Sequence, residues 1–414
     1  MRKYVAILFL LPFFLAADWP MFHGPKGDNR SPDTGLLTSF SEIGPPLIWE
    51  SSGLGVGQSG FSSMTIADNR IFTAGSRDGK SIVYCLDRET GKKLWEYENG
   101  GVWTKSYGGT RSTPTVDDNR VYDLSSLGEL VCLDVKTGLK IWGRNILTDF
   151  EGENIIWALA ESVYIDGDRL ICSPGGKKAS VVALDKMTGK TVWETPSTGE
   201  KTSYSSAVIF EQDGLRVLAM MYAKGLLGIN ADTGELLFTH RHTQRYDINC
   251  TKPLYHNGKL LIVNAKTPPD DNGAALLRVT VDGKKASVEK IWQNRDFDNL
   301  HDGVLLLDGY LYGSSYNHKG GVFMCVEWET GKIMYDPRDC GRGAVTFAEG
   351  LIYFLSEKGD FRLIRPTPEK YDVVSRWSIP EKGEGPTWAH MVVLDRKLYI
   401  RHGEYLYCYD IAEK

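Results

Sequence analysis

The sequence predicts an all-β, eight-bladed propeller of four-stranded blades, its ring closed by a strand from near the N-terminus. Three observations predict it. A unit of an acidic or amide residue, two residues, Thr-Gly, three residues and an aromatic recurs along the 414-residue chain. Its closing aromatics lie 42 to 54 residues apart, a period that belongs to blades of four strands. The composition also pairs turn-makers with aromatics: 44 glycines, against about 29 at a typical share of roughly 7%, stand beside 11 tryptophans and 20 tyrosines.

The chain opens on Met1-Arg2-Lys3, an apolar stretch from Tyr4 to Leu15 and the small pair Ala16-Ala17. Such a stretch is too short to span about 30 Å of hydrocarbon and has the form of a secretory signal peptide. Residues 1–17 are therefore expected to be removed, and 18–414 to form the propeller domain of an exported protein, periplasmic or secreted. Cleavage takes the net charge from −5 to −7. With no basic block, phosphate neutralisation has no footprint, and nucleic acid is excluded as a partner. No transmembrane segment is expected, and no cysteine near the cleavage point offers a lipid anchor.

Five copies of the unit are complete: Asp87…Thr90-Gly91…Trp95, Asp134…Thr137-Gly138…Trp142, Asp185…Thr188-Gly189…Trp193, Asn230…Thr233-Gly234…Phe238 and Glu327…Thr330-Gly331…Tyr335. Two degenerate copies end at Trp292 and Trp377. Within one unit, Thr115-Val116 and Val121-Tyr122 flank an Asp-Asn turn as a hairpin. Leu130 to Asp134 then makes a third strand and Lys140 to Trp142 a fourth. Gly138 sits where the intervening turn demands positive φ, which glycine adopts freely. Similar inner pairs recur at Thr65-Ile66/Ile71-Phe72, Tyr164-Ile165/Leu170-Ile171, Leu305-Leu306/Leu311-Tyr312 and Val392-Val393/Leu398-Tyr399. The last unit, from Trp388 to Asp410, lacks its fourth strand. Residues 47–50, with Trp49, supply an orphan one after a lead-in over 18–46. Pairing the two seals the ring and removes its open edges.

These Leu-Asp-x-x-Thr-Gly-x-x-x-Trp units resemble the repeats of the pyrroloquinoline-quinone (PQQ)-like β-propeller superfamily, and Asp18-Trp19-Pro20…Phe22-x-Gly24 is similar to the start of many exported bacterial members. The resemblance covers roughly residues 18–414. It implies the fold and a blade-docking role for Trp95, Trp142, Trp193, Phe238, Trp292, Tyr335, Trp377 and Trp49. For function it implies two different things, because the superfamily includes quinoprotein alcohol dehydrogenases and the non-enzymatic BamB-like scaffold of outer-membrane barrel assembly.

Of the seven cysteines, Cys85, Cys132, Cys325 and Cys408 sit two residues before the acid of the third strand, where other units carry Ala183 or Gly228. That is a small packing position. Cys172, Cys250 and Cys340 show no pairing by spacing, and no Cys-x-x-Cys exists for zinc or haem. The vicinal cysteine pair common in quinoprotein dehydrogenases is absent as well.

Aligning the entry to each innermost strand puts Ser62, Ser112, Glu161, Ser205, Thr251, Asp302, Gly343 and Ala389 at one position. Phe61, Arg111, Ala160, Tyr204, Cys250, His301, Arg342 and Trp388 precede them, and Lys252 and His390 are among the residues that follow. All are expected around one mouth of the central channel. Arg111, Lys252 and Arg342 suit an anionic ligand. Glu161, His301 and Asp302 are the candidates for a general base, and Tyr204, Trp388 and His390 complete the candidate ligand surface. The alternative is a wet channel whose opposite charges simply pair. PQQ with calcium is a possible cofactor that no specific motif supports. Glu161 and Asp302, with Asn249 nearby, offer oxygen ligands, but no spacing singles them out and no metal is expected.

Three weaker features complete the reading. His240-Arg241-His242 is expected as a solvated loop, Pro268 to Gly273 as a surface excursion, and Asn99 to Gly109, with Trp103 and Tyr107, as a loop at the channel rim. The leading expectation is a monomeric propeller that binds a small molecule, glycan or protein partner. The alternatives are a PQQ-dependent alcohol or sugar oxidoreductase and a BamB-like assembly scaffold, the latter weakened by the missing anchor cysteine. Whether the protein is an enzyme is left open.

Overall fold

The computed structural model describes residues 18–55, 60–266, 273–316 and 320–414. The expected signal peptide and residues Pro268 to Asn272 of the expected excursion lie outside the described residues. No helix among the described residues is long and apolar enough to cross a membrane.

The described residues form eight four-stranded antiparallel sheets arranged as the blades of a propeller. Blades 1 to 7 are continuous in sequence, spanning 64–101, 115–145, 164–196, 208–241, 254–294, 304–335 and 343–378. Blade 8 takes three strands from 392–410 and its outer strand from Leu47–Ser51, in a register that sets Trp49 opposite Cys408. The inner hairpins pair as the repeat pattern requires, with Thr65 opposite Phe72, Thr115 opposite Tyr122 and Val392 opposite Tyr399.

The repeat motif is a turn and a dock. Asp134 Oδ1 accepts hydrogen bonds from the Thr137 amide and hydroxyl, both at 2.8 Å. Gly138, at φ +70°, returns its amide to the Asp134 carbonyl at 2.9 Å. The positive φ keeps the turn tight, and the missing Cβ leaves room for the tryptophan of the preceding blade. A Cβ on Gly138 would lie 2.7 Å from Trp95, whose indole N–H donates to the Val135 carbonyl at 3.0 Å. Trp142 on Gly189, Trp193 on Gly234, Trp292 on Gly331 and Trp49 on Gly91 repeat the contact.

Behind each docking aromatic lies a small cross-strand partner: Cys85 faces Trp95, Cys132 faces Trp142, Ala183 faces Trp193, Gly228 faces Phe238 and Cys325 faces Tyr335. All seven cysteines are free thiols, and burial pushes Cys85, Cys325 and Cys408 up to about 12. The core lies between blades, where facing sheets interdigitate. Ile171, Val181 and Ala183 of blade 3 pack on Leu218, Met220 and Ile229 of blade 4, each large aliphatic contributing about 1.5–3 kcal/mol by burial.

The closing seam carries extra polar staples. Arg401 of blade 8 is fully buried and donates to the Ser62 and Ala74 carbonyls at 3.1 and 2.6 Å and to Leu54 O at 2.9 Å. Arg88 of blade 1 donates to Tyr399 Oη at 3.0 Å and pairs with Asp395 at 2.8 Å.

Two local expectations are corrected. Asn99 to Gly101, expected in the rim loop, end the outer strand of blade 1, with Asn99 buried. His240 and Arg241 belong to the outer strand of blade 4, and His242 is buried rather than solvated. Its Nε2 lies 3.0 Å from the Gly273 carbonyl, so the site is a strand end packed under the next blade.

Candidate functional site

The innermost strands are short and extended, so their side chains alternate between channel and blade. This pleat separates the residues that the sequence places at the mouth. Phe61, Arg111, Ala160, Tyr204, Cys250, His301 and Trp388 face a cavity of about 510 Å³, as do Ser63, Lys252 and His390 two positions on. At the position between them, Thr251 also lines the cavity, whereas Ser62, Glu161 and Asp302 turn into their blades and meet the second strand. Ser62 Oγ accepts from the Ala74 amide at 3.2 Å, Glu161 from the Ser173 amide at 3.1 Å, and Asp302 from the Ser314 hydroxyl at 2.7 Å. Glu161 does not line the cavity. Its burial raises the carboxyl to about 8, the Ser173 hydrogen bonds opposing only part of that rise.

The floor of the cavity comes from a segment that shows no repeat signal. After Trp19 pairs with Ile66 of blade 1, the Pro20 carbonyl accepts from Val116 of blade 2 at 2.7 Å. The chain then crosses the channel to blade 7, where Phe347 N donates to the Asn29 carbonyl at 2.8 Å. Between these anchors, Phe22, His23 and residues 26–29 line the cavity. The crossing is locked to the walls by Asn29 Nδ2 donating to His390 Nδ1 at 3.2 Å and Lys252 Nζ donating to the Gly27 carbonyl at 3.0 Å. The His23 ring lies 4.6 Å from that of His390, tilted by 43°. Burial holds His23 well below the usual histidine range and lowers His390 as well.

At the opposite end the rim is aromatic. Tyr107 and Tyr246 are 48% and 44% exposed while also lining the cavity, so this end meets solvent. Tyr107 packs 5.2 Å from Trp388, and Trp157 meets Tyr246 edge-on at 6.4 Å. Trp388 is fixed by its indole N–H, which donates to Glu357 Oε1 at 2.7 Å. Glu357 Oε2 accepts from Arg342 Nε at 2.8 Å, and the Arg342 guanidinium lies 4.2 Å over the Tyr316 ring. Arg342 thus serves Glu357 and does not line the cavity. Glu357 itself was missed from sequence because it lies at the end of a second strand, outside the aligned position.

The charge balance of the walls is uneven. Arg111 donates to the Gly109 and Tyr107 carbonyls and covers the Phe61 ring at 5.8 Å. Lys252 donates to Gly27 O. Among the described residues neither forms an ion pair. Burial lowers Arg111 to about 10 and Lys252 to about 8, the latter partly offset by Asp28. A desolvated cation without an anion is costly, and a bound carboxylate or phosphate removes that cost.

His301, Asp302 and Glu357 place one nitrogen or oxygen each within 4.8 Å of one another. Calcium, the ion that the quinoprotein resemblance implies, does not fit them as arranged. Asp302 Oδ1 and Oδ2 already accept from His301 Nδ1 at 2.9 Å and Ser314 Oγ, and both Glu357 oxygens are taken as described. Asn249 is equally committed, donating to Tyr222 O at 2.6 Å and accepting from Asn264 at 3.0 Å. Among the described residues, the oxygens of Asp302, Glu357 and Asn249 are thus already engaged and offer no vacant hard-oxygen set for calcium.

A family model described as outer membrane protein assembly factor BamB matches residues 46–178 and 158–336. The assembly factor BamB of Shewanella oneidensis is 26% identical over 189 residues, 44% of this chain and 44% of that protein. The quinoprotein ethanol dehydrogenase of Pseudomonas aeruginosa is 31% identical over 109 residues, 25% of this chain and 17% of that protein. The chain thus spans under half the length of these curated relatives. The solved structure of BamB from Moraxella catarrhalis superposes with a TM-score of 0.58 at 16% identity, covering 89% of this chain and 98% of that one, which is a likeness of fold.

Proposed function

The chain belongs to the PQQ-like repeat family whose model is described as outer membrane protein assembly factor BamB, and from that premise we propose that this member is an exported receptor whose channel binds a small organic anion. The family alone does not choose a function, since relatives named as assembly factors and as dehydrogenases both match. The observation that carries the reading is the pair Arg111 and Lys252, cationic side chains in the wall of a floored cavity that, among the described residues, hydrogen-bond only to backbone carbonyls. A carboxylate or phosphate supplies what both lack, and the aromatic rim offers flat faces to a ring. Export rests on residues 1–17, read as a signal peptide. The oxygen ligands present do not support a PQQ–calcium dehydrogenase.

The test is a thermal-shift series on the mature protein with organic carboxylates, organic phosphates, and PQQ with and without calcium. Saturable binding raises the melting temperature with ligand concentration. Stabilisation by one anion class, lost in Arg111→Met, supports the receptor reading. Stabilisation only by PQQ with calcium replaces it with the dehydrogenase reading.

A second reading has its own observation. Ile48 in blade 8, Leu94 in blade 1, Ile141 in blade 2 and Val192 in blade 3 each precede a docking aromatic on an outer strand. They are 44%, 49%, 43% and 51% exposed. Consecutive blades therefore present an apolar row at the rim of the wheel, which suits docking to a protein partner, as in an outer-membrane assembly role. Loss of a purified partner complex in Ile141→Lys, with the anion response intact, separates this surface from the channel.

A further inference from the structure

We propose that the anion is a hydroxy acid and that His301 takes the proton of its hydroxyl. The proposal rests on the anion-receptor reading and adds the class of ligand and a role for one side chain.

His301 and Asp302 form an oriented pair. Asp302 is 2% exposed, and both of its oxygens accept hydrogen bonds, one from His301 Nδ1 at 2.9 Å and one from Ser314. Burial works against its ionisation, but the imidazole and the Ser314 hydroxyl outweigh it and hold the carboxyl below its usual range. An ionised acceptor on Nδ1 assigns the proton to that nitrogen and leaves the lone pair on Nε2. His301 lines the cavity, and its Nε2 is buried without a hydrogen-bond partner. The nearest acid, Glu357 Oε1, stands 3.6 Å away and already accepts from Trp388. An unsatisfied buried acceptor is destabilising until a donor arrives. A hydroxyl is such a donor; a second carboxylate or a carbonyl is not.

The spacing of the two ends follows from ring contacts. Arg111 covers Phe61 at 5.8 Å, Phe61 meets Trp388 at 4.8 Å, and Trp388 meets His301 at 4.6 Å. Cation and base thus bracket a continuous aromatic wall, which fits a flat ring carrying an acid at one end and a hydroxyl at the other. In the step itself the ligand O–H bond breaks and an Nε2–H bond forms, with the electron pair left on oxygen. The resulting imidazolium lies between the Asp302 and Glu357 carboxylates. Facing His301 from the neighbouring elements are Glu357 of blade 7, itself paired with Arg342, His390 of blade 8 and Tyr316 of blade 6. No oxidant or reductant is needed.

The probe is 4-hydroxy-3-nitrobenzoate, whose phenolate absorbs in the visible, with 3-nitrobenzoate as the hydroxyl-free control, at a pH where the free phenol is protonated. Binding is read by quenching of tryptophan fluorescence and ionisation by the phenolate band. The expected result is quenching by both compounds, a phenolate band for the wild-type complex, and about a tenfold smaller phenolate-to-phenol ratio in His301→Gln, equivalent to one pKa unit. Asp302→Asn is expected to lie between. Quenching with the probe still a neutral phenol in the wild type overturns the role of His301 while leaving the receptor reading standing. So does His301→Gln with the full phenolate band, which assigns the ionisation to Arg111 and Lys252. Failure of both compounds to quench removes the anion reading, and this proposal with it.

Discussion

Trp377 of blade 7 docks on Gly44, which lies ahead of the first strand. A Cβ on Gly44 would sit 2.6 Å from the indole, and its φ is +82°. In the complete units this contact joins a tryptophan to the Thr-Gly of the next blade, as Trp95 does with Gly138. Blade 8 ends at Asp410 of its third strand without that turn, so the Ser41–Gly44 turn, closed by the Gly44 amide on Ser41 O at 2.9 Å, takes its place. The N-terminal segment thus restores both the missing strand and the missing dock.

Gly44→Ala therefore adds a steric clash to backbone strain, whereas Gly53→Ala adds strain alone, because Gly53 has φ +74° and nothing within 4 Å of an added Cβ. We expect a loss of about 1 kcal/mol for Gly53→Ala and about 2–4 kcal/mol for Gly44→Ala. Urea unfolding of the two variants side by side measures the difference, and equal losses count against a docking role for the turn.

Cys85 lies buried opposite Trp95 and fills a position that other blades give to alanine or glycine. Cys85→Ala is expected to cost about 1 kcal/mol or less, and Cys85→Leu about 1–3 kcal/mol through overpacking. The native thiol is expected to be inert to a disulfide reagent that reacts at once after unfolding. Rapid native labelling of Cys85 contradicts the packing role.

Glu161 has a folded-state value of about 8, well above an unfolded carboxyl. The folded protein then holds a proton that the unfolded chain releases between the two values, so this residue makes stability fall as pH rises through that window. Glu161→Gln keeps an acceptor for Ser173 and cannot ionise. The variant is expected to flatten the fall between pH 5 and pH 8 and to exceed the wild type at pH 8.5 in thermal unfolding. An unchanged pH profile means that Glu161 ionises freely.

His23 and His390 behave in the opposite sense. Their folded values lie below the unfolded one, so the unfolded chain binds more protons and stability is lost as pH falls through the ordinary histidine range. Protonation of His390 Nδ1 removes the acceptor for Asn29 and adds charge beside His23. Hydrogen exchange across residues 21–30 is expected to quicken severalfold between pH 7.5 and pH 5, and less so in His390→Gln. Acceleration spread evenly over all blades contradicts a local release of the floor.

The ring was legible in the sequence because its turns and docks are local: Asp134, Thr137 and Gly138 form one turn, and Trp142 recurs at a fixed distance from it. The channel was legible only in part. Arg111, Lys252, His301, Trp388 and His390 line it, whereas Glu161 and Asp302 are turned into their blades by the strand pleat. Choosing between adjacent positions needs the phase of a strand only three or four residues long. The floor from Phe22 to Asn29 carries no period, and its partners, Lys252 and His390, lie hundreds of residues away, so no local pattern marks it. Glu357 is hidden for a similar reason, reaching the site from a second strand through Trp388 and Arg342.

The most direct test of the receptor account is the melting temperature of wild-type protein, Arg111→Met and Lys252→Met, each with and without 4-hydroxybenzoate. If the two cations are held for a ligand, the variants melt at or above the wild-type temperature when empty, because a desolvated charge has been removed, and they lose the rise that the anion gives the wild type. A wild type that ignores the anion, with variants that melt well below it, contradicts the account and makes both residues structural.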